Sequence, residues 1–337
     1  MYKYLTSPGN AYFSAAHPVL SPSQLSSTLR FALDSPASPL SSLGPCIESS
    51  ITMLSSTALL VGIFASLAVA TPNPAKVIVP GAGLRLASTV HQVPAGGSIA
   101  HMNDSTVHVL DAAGALVKAV AHTPTKVKAA AKPVETGWVA YASWLNTGSS
   151  PISSFKTTWT VPAVPKTNHG QTVFLFNSIE PNSGNAILQP VLQYGPSAAG
   201  GGSYWAVASW YLVGDSTFHT TPVRTSAGAT LNGVIKLISS SGSSYNYATS
   251  FSNIAGTSLT AKGAAQLTWA TETLESYSVT ATSDYPAGST TFRGINLALA
   301  NGAAPKVSWS TVSDTSDGIS TQINTNGATN AAVTITY

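Results

Sequence analysis

From Trp138 onward the chain reads as short runs of alternating apolar and polar residues, separated by clusters of Ser, Gly, Asn and Thr. Alternation with a period of two places every second side chain on one face of a strand. Candidate strands are 139–145, 155–161, 172–176, 186–194, 203–212, 229–239, 244–251, 265–269, 275–280, 290–299, 306–312 and 332–337. Turn clusters such as Ser240-Ser241-Gly242-Ser243 divide them. Many short strands without a helical period predict an all-β fold, and an antiparallel β-sandwich of two face-to-face sheets is the expected architecture. No internal repeat is visible.

Before Trp138 the pattern changes, and all seven tryptophans lie at or beyond that residue. Residues 105–110 look like a strand, Asp111-Ala112-Ala113-Gly114 like a turn, and 115–121 like a second strand or a short helix. A basic, Pro-flanked linker, HTPTKVKAAAKPVETG, follows. Residues 71–133 are therefore expected to form a small propeptide-like segment, and residues 134–337 the sandwich domain. Further upstream, Met53 opens MLSSTALLVGIFASLAVATPNP. Its short apolar run ends in Ala68-Val69-Ala70, which fits a signal-peptidase site, so residues 53–70 are expected to be a signal peptide. Such a signal acts near a true N-terminus. Residues 1–52 are accordingly expected to be a non-native or disordered extension, a type II anchor with a cytoplasmic tail being the competing reading.

The chain has 337 residues, 44% of them hydrophobic and only 8% charged, far from a disordered composition. Residues 71–133 carry six basic and two acidic residues, a balance of +4, whereas residues 134–337 carry seven basic and eight acidic, a balance of −1. No basic surface of the kind that binds nucleic acid is implied. The one cysteine, Cys46, lies in the doubtful N-terminal stretch, so the mature chain is expected to have no disulfide, zinc–thiolate site or cysteine nucleophile. Asn103-Asp104-Ser105 is a glycosylation sequon, consistent with a secreted, extracellular protein with no membrane segment in its mature form.

The candidate chemistry centres on AILQPVLQYG, from Ala186 to Gly195. Ile187, Gln189, Val191 and Gln193 share one strand face, and Leu188, Pro190 and Leu192 the other. If the leucines pack between the sheets, both glutamines project outward into a groove. Pro190, lacking an N–H, suggests that this strand lies at an edge or is bulged. On the next strand Trp205, Val207, Ser209 and Tyr211 share a face opposite Tyr204 and Trp210. In WATETLESY, Glu272 and Glu275 are three positions apart and face opposite ways, so only one can join Gln189. A glutamine amide that donates to a carbonyl oxygen, with a glutamate that activates water, suffices to hydrolyse a peptide without serine, cysteine or metal.

Four blocks resemble the glutamic peptidase family of fungi, the eqolisins: TWTVP at 158–162, AILQ at 186–189, YWAVASWY at 204–211 and the glutamate-bearing strand at 269–275. The resemblance spans roughly Trp138 to the C-terminus. It implies a concanavalin A-like jelly roll preceded by a signal peptide and a propeptide, and an acid endopeptidase acting on polypeptides. It places Gln189 as catalytic glutamine. For the glutamate, Trp269-x-x-Glu272 and Leu274-Glu275 fit equally; Glu275 is preferred, with Glu272 the alternate. The implied substrate-binding residues are Trp159, Glu180, Gln193, Trp205 and Tyr211. The chain departs from the family at Phe176–Pro181, where an acidic block is usual, and at Ser209, where a glutamate is usual; substrate preference and activity both depend on these positions.

No cofactor or metal is implied. His169 and His219 show no metal-ligand spacing and are expected on the surface or in turns. The expected state is a monomer. Competing readings are a glycoside hydrolase pairing Glu180 with Glu272 or Glu275, and a carbohydrate-binding module presenting Trp138, Trp205 and Tyr211 to a cell-wall polysaccharide.

Overall fold

A computed structural model of the chain describes residues 75–123 and 137–337. The expected signal peptide, the 1–52 extension, Cys46 and most of the basic linker lie outside the described residues. The described residues are nearly all strand, with two single-turn 3-10 helices, Ala87–Thr89 and Thr282–Asp284, and no helix long and apolar enough to cross a membrane.

Six strands precede the linker: β1 (Lys76–Val79), β2 (Gly83–Leu86), β3 (Val90–Gln92), β4 (Ser98–Asn103), β5 (Thr106–Leu110) and β6 (Leu116–Ala121). Then come β7 (Trp138–Leu145), β8 (Ile152–Thr160), β9 (Thr172–Glu180), β10 (Ala186–Ser197), β11 (Gly200–Val213), β12 (Ser216–His219), β13 (Val223–Arg224), β14 (Thr230–Ser241), β15 (Ser244–Phe251) and β16 (Leu259–Ala264). The chain ends with β17 (Trp269–Tyr277), β18 (Ser289–Leu299), β19 (Ser310–Val312), β20 (Ser320–Thr325) and β21 (Ala331–Thr336). The candidate strands 265–269 and 275–280 are replaced by one strand, β17, which joins Trp269 to Tyr277 and leaves 265–268 and 278–280 outside it. Its polar centre, Thr271-Glu272-Thr273, looks like a turn in sequence but is fully buried.

The fold is a β-sandwich. One sheet runs β19-β7-β17-β9-β10-β11-β12-β3, with β13 added beside β11; the other runs β20-β21-β18-β8-β14-β15-β16-β4-β5-β6. Between them lies one apolar core, including Leu175, Leu188, Leu192, Trp205, Tyr211, Phe155, Trp159, Phe251 and Phe292. Alternation explains the division: Leu188 and Leu192 point inward, whereas Ile187 and Val191 join a second apolar cluster on the outer face. Pairing is antiparallel throughout the domain after the linker. The two parallel pairings are β3 with β12 and β4 with β16, the two joints where the N-terminal strands extend each sheet. Those strands thereby cover edges that would otherwise expose unpaired backbone groups.

The expectation that Pro190 marks an edge or bulge is not met. Strand β10 is central, between β9 and β11, and Pro190 pairs in register with Ser209. The ladder to β9 passes from Leu188↔Ile179 to Val191↔Phe176 without a shift, and the irregularity of β10 falls later, between Tyr194 and Gly195. A central strand accommodates this proline because one gap in one ladder removes a single donor.

Candidate active site

The outer face of β9, β10, β11 and β17 forms the floor of the site. Phe174, Phe176, Ile187, Val191, Ala208 and Trp210 make it apolar, and Gln189 stands among them. This face is not open to solvent. The hairpin β1–β2 lies on it, with Val79 entering the apolar cluster; Val79, Gln189 and Glu275 are each 0% exposed. The register Val79↔Gly83 leaves a three-residue tip, Pro80-Gly81-Ala82. A backbone bond from Ala198 N–H to the Ile78 carbonyl, 2.8 Å, anchors the first strand of the hairpin.

That tip presents one peptide group to both residues of the expected dyad. The Gln189 Nε2 donates to the Pro80 carbonyl oxygen at 2.9 Å. The N–H of Gly81, on the other side of the same peptide bond, donates to both Glu275 carboxylate oxygens, at 3.0 and 2.8 Å. Tyr277, two residues along β17, donates its hydroxyl to Glu275 Oε1 at 2.5 Å. An N–H shared between two carboxylate oxygens, with a phenol on one of them, suits an ionised carboxylate that accepts only. Gly81 has φ +82, and a Cβ there would lie 3.0 Å from Ile187 Cγ2 and 3.2 Å from Gln189 Nε2. Only glycine lets the backbone come this close.

Glu272 is on the other face of β17, inside the sandwich, where Thr157 of β8 donates to its Oε1 at 2.5 Å. Burial pushes its carboxyl well above the usual carboxylate range, against the opposing pull of the Thr157 hydroxyl. It lies inside the sandwich, on the face of β17 opposite Glu275 and Gln189.

Three residues expected in the substrate groove are corrected by their burial. Trp159, Trp205 and Tyr211 belong to the inter-sheet core, at most 1% exposed. The aromatic of β11 that reaches the outer face is Trp210, of opposite parity. Gln193 is on the outer face, but its Nε2 donates to the carbonyls of Gly195 and Gly200, both at 2.8 Å, and its Oε1 accepts from Ser197 Oγ. It ties down a turn. Glu180 is buried at the far end of β9: it pairs with Trp269 of β17, while Glu275 pairs with Phe174. Six residues of strand separate those positions, about 20 Å. Asn103 is exposed at the end of β4.

His169 sits half-exposed in a turn, its Nδ1 2.8 Å from the Asp284 carboxylate. Burial would raise the Asp284 carboxyl, but the Thr167 hydroxyl, the Thr280 N–H and His169 hold it well below the usual range. His219, expected at the surface, is instead buried in β12 against Trp210, ring centroids 4.9 Å apart. Among the described residues no group of three or more His, Cys, Asp or Glu is placed to hold a metal.

The sequence reading missed the Pro80–Gly81 tip and the Tyr277 hydroxyl. The tip had a signal: a Pro-Gly pair between KVIV and GLRL is a hairpin pattern. Its meeting with residues more than a hundred positions away had none.

No protein-family model matches the chain, and no curated protein does. Among solved structures it is similar to scytalido-glutamic peptidase with a peptide-based transition-state analogue, at 11% identity and TM-score 0.40, over 60% of this chain and 98% of that one. It is similar to SCP-B, a member of the eqolisin family of peptidases in complex with the tripeptide Ala-Ile-His, at 12% identity and TM-score 0.39, with the same coverage. A scytalido-glutamic peptidase structure with a transition-state analogue inhibitor shows 14% identity and TM-score 0.37, again over 60% and 98%.

Proposed function

We propose that this chain is a secreted acid endopeptidase that cleaves polypeptides with Gln189 and Glu275. The observation that carries the reading is the single peptide group held between them, carbonyl oxygen on the amide and nitrogen on the carboxylate. Peptide hydrolysis requires help at those two atoms. In a substrate at this position, Glu275 takes a proton from water as the hydroxide adds to the carbonyl carbon. Negative charge builds on the oxygen that the Gln189 amide already contacts, an interaction of about 3 kcal/mol. The C–N bond then breaks, and protonated Glu275 returns its proton to the leaving nitrogen. Tyr277 fixes the carboxylate by its hydrogen bond. A base of the carboxylate class, with an ordinary value of about 4, sets an acidic working range.

The competing hydrolase reading needs two carboxylates about 5 to 9.5 Å apart. Glu180 lies at the far end of β9 from Glu275, and Glu272 is on the opposite face. The binding-module reading needs exposed aromatic platforms, yet Trp205 and Tyr211 are core residues and Trp138 is buried, stacked on Trp269 with centroids 5.7 Å apart. The test is hydrolysis of denatured casein at pH 3 to 4. Gln189→Ala is expected to lower kcat by about 10²- to 10³-fold while leaving the fold intact; unchanged turnover in that variant would reject the dyad.

A further inference from the structure

Between Gln189 and Glu275 the floor of the site carries a row of hydroxyls that hydrolysis by the dyad does not use. Ser178 of β9 and Thr271 and Thr273 of β17 share the outer face with Phe174, Phe176 and Trp269, and all three are fully buried. Thr271 pairs with Ser178 across the two strands. Ser178 Oγ and Thr271 Oγ1 lie 2.8 Å apart, and so do Thr271 Oγ1 and Thr273 Oγ1. Each hydroxyl has one proton to donate. The two bonds use two of those protons, so one proton leaves the row at an end.

The two ends differ. Thr273 is two residues from Glu275 on the same strand face, but that carboxylate already takes the Gly81 N–H and the Tyr277 hydroxyl. Ser178 is opposite Gln189: Leu188 pairs with Ile179 and Val191 with Phe176, which sets Gln189 against Ser178. Gln189 Nε2 is engaged by the Pro80 carbonyl, whereas its Oε1 is buried and accepts from no group among the described residues. A buried acceptor left without a donor is costly. Residues directly opposite each other have Cβ atoms about 4.5–5.5 Å apart, within reach of one bridging water.

We propose that Ser178 is a positioning residue for Gln189. The row donates in the order Thr273, Thr271, Ser178, and a bridging water accepts the last proton and donates its own to Gln189 Oε1. The amide is thereby held with Oε1 toward β9 and Nε2 toward the scissile carbonyl before a substrate arrives. Turned by half a revolution, the same amide would set its own lone pairs against the oxyanion. Ser178 touches neither the substrate nor the attacking water; it acts through Gln189. The effect on turnover rests on the peptidase reading, but the fixed orientation of the amide does not.

The test has two arms on the full chain, with Ser178→Ala, which deletes one oxygen from the row. The first follows exchange of the Gln189 Nε2 protons at pH 5 by NMR, their signals identified by their loss in Gln189→Ala. Exchange in Ser178→Ala is expected to be about tenfold faster, while the backbone amides of β9 and β10 keep the parent's protection. Equal exchange in parent and variant overturns the proposal whatever the turnover. The second arm is casein hydrolysis at pH 3.5 in a double-mutant cycle. Ser178→Ala is expected to lower kcat about tenfold at unchanged KM in the parent, and by less than about twofold in a Gln189→Ala background. An unchanged kcat, an equal loss in both backgrounds or a rise in KM alone overturns the positioning role. A parent that does not hydrolyse casein, with faster exchange in Ser178→Ala, rejects the peptidase reading and leaves the positioning of the amide standing.

Discussion

Gly81→Ala probes the contact between the hairpin tip and the dyad most economically. The residue holds φ +82, where an alanine is disfavoured by about 1–2 kcal/mol. Its Cβ would stand 3.0 Å from Ile187 Cγ2 and 3.2 Å from Gln189 Nε2, so both neighbours must yield by a few tenths of an ångström. Such crowding costs about 1 kcal/mol more. The greater freedom of glycine in the undocked loop offsets about 0.5–1 kcal/mol. The remainder, about 1–2.5 kcal/mol, corresponds to a tip held roughly 5- to 70-fold more weakly. The assay is the initial rate of casein hydrolysis by the full chain at pH 5, before any processing is visible on a gel. The variant is expected to be about 5- to 70-fold faster than the parent. Equal rates from equally folded proteins would refute the idea that this tip stands between substrate and dyad.

Tyr277→Phe removes the hydroxyl on Glu275 Oε1 and is expected to lower kcat/KM about tenfold, a charged hydrogen bond being worth about 1.5 kcal/mol; a rate equal to the parent's would show the phenol to be idle. Glu272, whose folded value is raised by burial, favours the folded state fully below its unfolded value of about 4.3 and progressively less as pH rises above it. Urea unfolding at pH 4 and pH 7 should therefore show a smaller loss of stability with rising pH in Glu272→Gln than in the parent, and parallel behaviour would contradict that assignment. Trp205→Ala is expected to destabilise the fold by about 3–5 kcal/mol in urea titrations, as a core tryptophan does, rather than raise KM in a stable protein.

The sandwich was legible because apolar alternation is a local property, and the leucine and glutamine faces of β10 separate as their spacing predicts. Parity alone does not say which face lies inside. On β11 both faces carry aromatics, so the pattern does not reveal that Trp205 and Tyr211 lie in the core and Trp210 on the outer face. Buried hydroxyls misled in another way. Thr271 bonds Ser178 and Thr273 at 2.8 Å each, so a polar stretch that resembles a turn is the middle of a central strand. Gln189 and the two glutamates were visible as unusual residues, and the strand period separated Glu272 from Glu275. The hairpin tip was out of reach because its partners, Gln189 and Glu275, are 109 and 194 residues away, contacts that no local pattern encodes.

The most direct measurement sets Glu275→Gln beside Glu272→Gln, with denatured casein at pH 3.5 and circular dichroism to confirm the fold of each. The dyad account predicts that Glu275→Gln abolishes hydrolysis and that Glu272→Gln retains it. Hydrolysis surviving in Glu275→Gln, or lost only in Glu272→Gln, would contradict it.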